Sequence, residues 1–289
     1  MSTPRRDIID VHQHSLATPS GAGGGVLRPH EPAEFQPQVF ADTLAEMDRL
    51  GITHGVISGP NSITAEWARR APDRFIPAWM TDPNISDPDL ELARFTEAVE
   101  QKGFRMLGEM LMFAVGNPIS DERFFLLYRV CEERGLPVLM HTGLDGRDFA
   151  SGQWPKFRVS LTNPLLLEDV VAAFPRLKLV IAHLSYPFTE QATYMLYAHT
   201  NVYADLGVVN WILGRKGFHR LLRQVVEVVG PDKILFGSDW MGTPTRMAVA
   251  LSAVQEADFL SEEDKAKILG GNARKLLGLS AGITLEGGR

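Results

Sequence analysis

A short apolar, β-branched run followed by a longer amphipathic segment recurs eight times along this chain, and no other feature constrains its fold so strongly. Such alternation is the mark of a parallel sheet assembled from βα units. The strand candidates are DIIDVHQH (7–14), THGVISG (53–59), RFIPAWM (74–80), FRMLGEM (104–110), LPVLMH (136–141), LKLVIAHL (177–184), NVYADL (201–206) and DKILFGSD (232–239). Between them lie helical patterns such as PQVFADTLAEMDRLG, DLELARFTEAVEQKG, DERFFLLYRVCEERG and FHRLLRQVVEVVG, several of which end at Gly as helix C-termini prefer. The eight units occupy 7–257, the span of a (β/α)8 TIM barrel of about 250 residues. Helices at 261–279 extend it, and 1–289 reads as one domain without a linker.

A doubly wound open sheet also alternates βα units, but no GxGxxG follows the first strand. Gly21 and Gly23 to Gly25 sit in a proline-containing stretch with no helix start behind it, so they read as a flexible active-site loop rather than a phosphate loop. The net charge of −6, with no densely basic stretch, argues against nucleic acid and anionic membrane as partners. No run of about 18 apolar residues and no leader-like apolar segment is present, and a cytoplasmic protein is expected. The lone Cys131, in RVCEERGL, reads as a buried structural thiol. The expected partner is a small-molecule substrate, and a homodimer stays open because no interface is legible.

In a barrel of this kind the active site lies at the carboxyl ends of the strands. His12 and His14 end the first candidate strand, Glu109 the fourth, His141 the fifth, His183 the sixth, Asp205 the seventh and Asp239 the eighth. Two-residue alternation places Asp10, His12 and His14 on one face, with both imidazoles toward the mouth. Any one of these residues alone reads as a core histidine or a capping carboxylate. Together, at the same end of six strands, they offer the nitrogen and oxygen donors that a Zn²⁺, Mn²⁺ or Fe²⁺ site needs. His54 begins the second strand and His199 and His219 fall in or near helices, where structural or solvated roles suffice, while His30 belongs to the glycine-rich loop.

HxH on strand one, single histidines ending strands five and six, and aspartate ending strand eight resemble the amidohydrolase superfamily. DVHQH, CEERGLPVLMHTG, FPRLKLVIAHLS, NVYADLG, KILFGSDW and GGNARKLLGL are similar to the amidohydrolase-related branch often called amidohydrolase 2, over roughly 7–279. That branch combines metal-dependent hydrolases, nonoxidative decarboxylases such as aminocarboxymuconate semialdehyde decarboxylase, hydratases, and lactonases that can work without metal. The resemblance implies that His12, His14 and His141 are metal ligands and that Asp239 is a ligand or a catalytic carboxylate. For His183 it implies a supporting or catalytic part in members with one metal and a ligand's part in members with two. Glu109 stands where many members carry a carboxylated lysine that bridges two metals and others carry glutamate. Several decarboxylases lack an acid there, and the aromatic-acid decarboxylases tend to begin with ExH, so this pattern leans toward hydrolysis.

The expected activity is therefore metal-dependent hydrolysis of a small amide, lactam or lactone by metal-activated water, with one or two divalent ions, Zn²⁺ ahead of Mn²⁺. Asp239 would relay the proton, an effect of roughly 10² to 10⁴ in rate, and His183 would stabilise the oxyanion. The alternative is nonoxidative decarboxylation of a muconate-like or aromatic acid, and a third reading is a noncatalytic ligand-binding barrel. For substrate contacts the loop after strand five offers Arg147, Trp154, Phe157 and Arg158, the arginines as partners for a carboxylate. Trp79, Trp211 and Trp240, near strand ends, either line an apolar pocket or pack the core.

Overall fold

Strands whose side chains are apolar on both faces need cover on both sides, which parallel sheets receive from their own crossover helices. The structure, a computed structural model, describes residues 7–15, 29–31, 33–144, 155–242 and 245–279. Its strands are β1 (Ile8–His14), β2 (Ile52–Ser58), β3 (Phe75–Trp79), β4 (Met106–Met110), β5 (Val138–Met140), β6 (Leu179–Ile181), β7 (Val202–Asp205) and β8 (Ile234–Leu235), all parallel and in sequence order. Residues after β8 return to β1: Val11 N donates to Phe236 O at 3.0 Å, Asp239 N to His12 O at 2.8 Å and His14 N to Trp240 O at 2.8 Å. The sheet thereby closes into a (β/α)8 TIM barrel.

The helices are α1 (Pro37–Leu50), α2 (Asn61–Arg70), α3 (Pro88–Gln101), α4 (Phe125–Arg134), α5 (Glu168–Ala173), α6 (Thr189–Ala198), α7 (Val209–Ile212), α8 (Gly214–Val229) and α9 (Arg246–Gln255). Local chemistry sets their ends. Pro88 opens α3 behind Asp87, whose carboxylate accepts from Leu90 N, and Gly51 and Gly135 end α1 and α4 in the left-handed conformation. Cys131 on α4 is fully buried, and burial pushes its thiol up, so it is an inert core residue. Among the described residues no helix is long and apolar enough to cross a membrane.

Two apolar layers result. The larger one fills the space between sheet and helices and includes Trp67, Phe95, Phe124 and Phe218. The smaller one is the barrel interior: Ile9, Val11, Val56, Ile76, Ala78, Met106, Leu139, Val180 and Leu235. Its floor is α11 (Asn272–Leu277), which follows α10 (Glu262–Ala266) and a π turn and contributes Ala273, Leu276 and Leu277. The carboxyl-terminal mouth is left to polar residues.

The floor fits through glycine. A Cβ on Gly270 would lie 2.0 Å from the Asp7 carbonyl oxygen, whereas one on Gly271 would lie 3.4 Å from its nearest neighbour. Backbone cannot yield to the first contact, and the second is ordinary van der Waals distance. Gly270→Ala is expected to destabilise the protein by about 1–3 kcal/mol, and Gly271→Ala to be neutral or to stabilise by up to about 1 kcal/mol. Urea unfolding followed by circular dichroism reads the difference; equal midpoints for the two variants would contradict this packing.

Candidate active site

A regular strand cannot deliver this mouth. Simple alternation would put Asp10 with His12 and His14, yet Ile9 and Val11 face the barrel interior. A register shift between Asp10 and Gln13 turns His12 and His14 inward instead. Asp10 is left at the β1–β8 seam, where it accepts hydrogen bonds from Ser238 N, Ser238 Oγ, Gln13 Nε2 and the His12 amide at 2.5–3.2 Å. Four donors saturate a carboxylate. Burial nevertheless raises Asp10 to about 6, with those donors pulling the other way.

A second shift, between Leu107 and Met110, serves Glu109. Gly108 absorbs it with φ +127°, and a Cβ there would sit 2.3 Å from Leu139 O, so only glycine fits. His183 and Asp239 lie beyond the strands predicted to carry them, because β6 ends at Ile181 and β8 at Leu235. Both have left-handed backbone, φ 61° and 53°, in company with Leu184 and Ser185 at 45° and 50°. Residues in this conformation store strain and concentrate at functional sites.

The side chains converge on Glu109. Its Oε2 lies 3.4 Å from His12 Nε2 and 3.6 Å from His14 Nε2, and its Oε1 lies 2.7 Å from His141 Nδ1 and 3.5 Å from His183 Nε2. Asp239 Oδ1 approaches His14 Nε2 at 3.0 Å and His12 Nε2 at 3.6 Å. All six side chains are buried. The far sides of three of the histidines are tied down. His12 Nδ1 donates to Asp205 Oδ2 at 3.0 Å, His183 Nδ1 to Gly207 O at 3.0 Å, and His14 Nδ1 meets Ser58 Oγ at 3.2 Å. Hydrogen bonds of this kind fix the tautomer and leave the opposite nitrogen as a lone pair for a metal.

That lone pair on His12 Nε2 is buried without a hydrogen-bond partner, and its polar neighbours are carboxylate oxygens. Only a proton or a metal cation satisfies such a point. Among the described residues, two groups of three donors within 4.8 Å of one another share Glu109: His12 and His14 with it, and His141 and His183 with it. A third such group includes Asp205. Its carboxylate, however, is occupied by His12, the His183 amide and the Gly207 amide. Asp205 thus orients ligands rather than supplying one.

The electrostatics agree. Burial works against charge on His12 and His183, yet the neighbouring Glu109 and Asp205 carboxylates hold both above the usual imidazole range. Burial likewise opposes the charged forms of Glu109, Asp205 and Asp239, and the histidines beside them hold all three below the usual carboxylate range. A dense alternation of anion and imidazole, short of positive charge, is a ready cation site.

Among the predicted wall residues, Arg147 and Trp154 lie outside the described residues. Arg158 is exposed and donates to the carbonyls of Pro155 and Phe157. The three tryptophans have structural engagements. Trp240 is buried with Nε1 on Thr43 Oγ1 at 3.0 Å, Trp79 donates to Glu91, and Trp211 donates to Ser238 O. His30 pairs with Glu91 at 2.6 Å and packs on Trp79. Sequence reasoning missed Phe113, which stacks on His141 with ring centroids 4.3 Å apart.

Comparison with known proteins follows the same lines. The family model described as Amidohydrolase matches residues 9–279. Protein fluG of Emericella nidulans is 32% identical over 103 residues, 36% of this chain and 11% of that protein. The 2-amino-3-carboxymuconate-6-semialdehyde decarboxylase of Dictyostelium discoideum is 25% identical over 183 residues, 57% of this chain and 51% of that protein. The chain thus spans about a tenth and about half of the lengths of these curated relatives. Among solved structures, an uncharacterised TIM-barrel protein of Bordetella bronchiseptica superposes with a TM-score of 0.69 at 22% identity, covering 94% of this chain and 98% of that one. The 5-carboxyvanillate decarboxylase of Novosphingobium aromaticivorans, complexed with manganese, gives 0.65 at 17% identity over 94% and 96%. These likenesses share the barrel.

Asp205→Asn is expected to weaken Zn²⁺ or Mn²⁺ binding about 10–100-fold by releasing the His12 tautomer. Competition against a chromophoric chelator measures it; unchanged affinity would show that the Asp205–His12 bond does not prepare the ligand.

Proposed function

The chain belongs to the amidohydrolase family, and on that premise we propose that it is a metal-dependent hydrolase of a small amide, lactam or lactone. The observation that carries this reading is Glu109, one buried carboxylate placed between two sets of imidazoles. His12 and His14, with Asp239, would hold one divalent cation, His141 and His183 a second, and Glu109 would bridge them. Zn²⁺ suits the nitrogen-rich donor set, and Mn²⁺, the ion in the Novosphingobium decarboxylase complex, is the alternative. When bound, such ions act as Lewis acids toward a carbonyl oxygen and make water a nucleophile near neutral pH.

The residues of the chain supply the rest. Asp239, ionised and hydrogen-bonded to His14, accepts the proton of the attacking water and passes it to the leaving group. His183 is fixed by Gly207 with Nε2 toward Glu109, and where no second ion engages that nitrogen it carries a proton to donate to the oxyanion. Burial of the whole cluster removes competing water and strengthens each of these interactions.

The names of similar proteins favour decarboxylation as a second reading: the Dictyostelium relative and the Novosphingobium structure are both named decarboxylases. The same donors would then hold a cation able to chelate a substrate carboxylate and its neighbouring carbonyl, with Asp239 or His183 protonating the carbon that loses CO₂.

Elemental analysis and product analysis separate the two. Wild type is expected to hold two equivalents of metal, and Glu109→Gln at most one, with turnover reduced at least about 10²-fold. Substrate screening in ¹⁸O-water should place the label in product with no CO₂ released. A single equivalent retained in full by Glu109→Gln would refute the bridge. CO₂ release without uptake of water would replace hydrolysis by the second reading.

A further inference from the structure

A third apolar cluster stands apart from both cores: Met80, Leu111, Phe113 and Ala114, with Phe157 and Leu161 packed on them. Four of these follow directly on β3 and β4, and the other two belong to the return leg of the long loop after β5. The cluster therefore sits at the mouth. Phe113 joins it to the site, lying on the face of His141 with rings 4.3 Å apart and 29° between planes. Phe157 meets Phe113 edge-on at 5.4 Å and 77°. Phe157 and Leu161 are only half-buried among the described residues, so apolar surface continues outward from Phe113, which lies on the donor cluster.

We infer that this cluster is the specificity wall of the site: Phe157, backed by Phe113 and flanked by Leu161, seats a planar aryl group attached to the reacting carbonyl. The assignment rests on the metal-dependent reading above and adds the substrate class, aryl-substituted rather than alkyl-substituted carbonyl compounds. An aromatic ring gains from burial against the wall and from offset or edge-on contact with Phe157, neither of which a methyl group matches. A Phe157 that only anchored its own loop would give a different outcome. An anchor that fails loosens the site for every ligand alike, whereas a missing wall penalises only ligands that carry a ring.

Benzohydroxamate and acetohydroxamate share one metal-chelating head and differ in phenyl against methyl, so their binding to metal-loaded protein tests the seat without requiring turnover. In calorimetry the benzo compound is expected to bind wild type at least about tenfold more tightly. Phe157→Ala should bring the ratio within about twofold while leaving acetohydroxamate affinity unchanged, and Phe157→Leu should keep part of the preference. Equal binding of both probes to wild type overturns the seat and leaves the metal reading standing. Parallel loss of both in Phe157→Ala also overturns it, since Phe157 then only holds the loop. Binding of neither probe overturns the metal reading and the seat with it.

Discussion

Everything at the mouth of this barrel depends on a buried carboxylate that needs positive charge. Glu109 is almost fully enclosed, and an isolated carboxylate in such a place would take up a proton rather than stay ionised. Four imidazole nitrogens within 3.6 Å hold it ionised instead. Histidine is suited to this because it can carry a proton or give its lone pair to a metal, so the same geometry is stable with either form of positive charge. A lysine in those places would neutralise Glu109 permanently and close the site to a cation.

The surrounding structure reads as the means of keeping that cluster in order. Asp205 reaches from β7 to β1, the turn after β6 and its own loop in one carboxylate, and Asp10 clasps β1 to the residues after β8. Both are carboxylates buried from water, a placement that lowers stability unless each oxygen is hydrogen-bonded. Here each oxygen is. The left-handed residues around His183 and Asp239 belong to the same economy: packing and hydrogen bonds hold backbone where free chain would not remain.

How much of this could be read from the chain follows from the same physics. The barrel was legible because its alternation of elements is local, and each apolar run needs no partner to be recognised. The ligand candidates were legible because a charged residue ending an apolar run is conspicuous wherever the strand pairs. The route by which they reach the mouth was not. Ile9 and Val11 inside, and His12 and His14 inside above them, violate strict alternation, and the shift that reconciles them is decided by pairing with β2. The same holds for Glu109, although Gly108 before it was a signal, since a glycine inside a strand often marks a bulge. Asp205 was visible as a strand-end acid, but its work as an orienting group depends on His12, 193 residues away. Trp240, which sequence offered as a pocket residue, turns to Thr43 because its indole N–H requires an acceptor once buried.

The site that results is two-sided. On one side anions and imidazoles stand in register to hold charge; on the other Phe113 covers one face of the His141 ring and carries an apolar surface outward. This asymmetry matters for chemistry as well as recognition. A low-dielectric wall beside His141 strengthens every charge–charge interaction at Glu109, because fewer water dipoles are available to screen it. It also limits the directions from which water reaches the cluster. Apolar residues at the mouth would be a fault if the barrel only needed to be soluble, since the interior core is already complete below them. Beside a charged site they do what the core cannot: they set the polarity in which the charge acts.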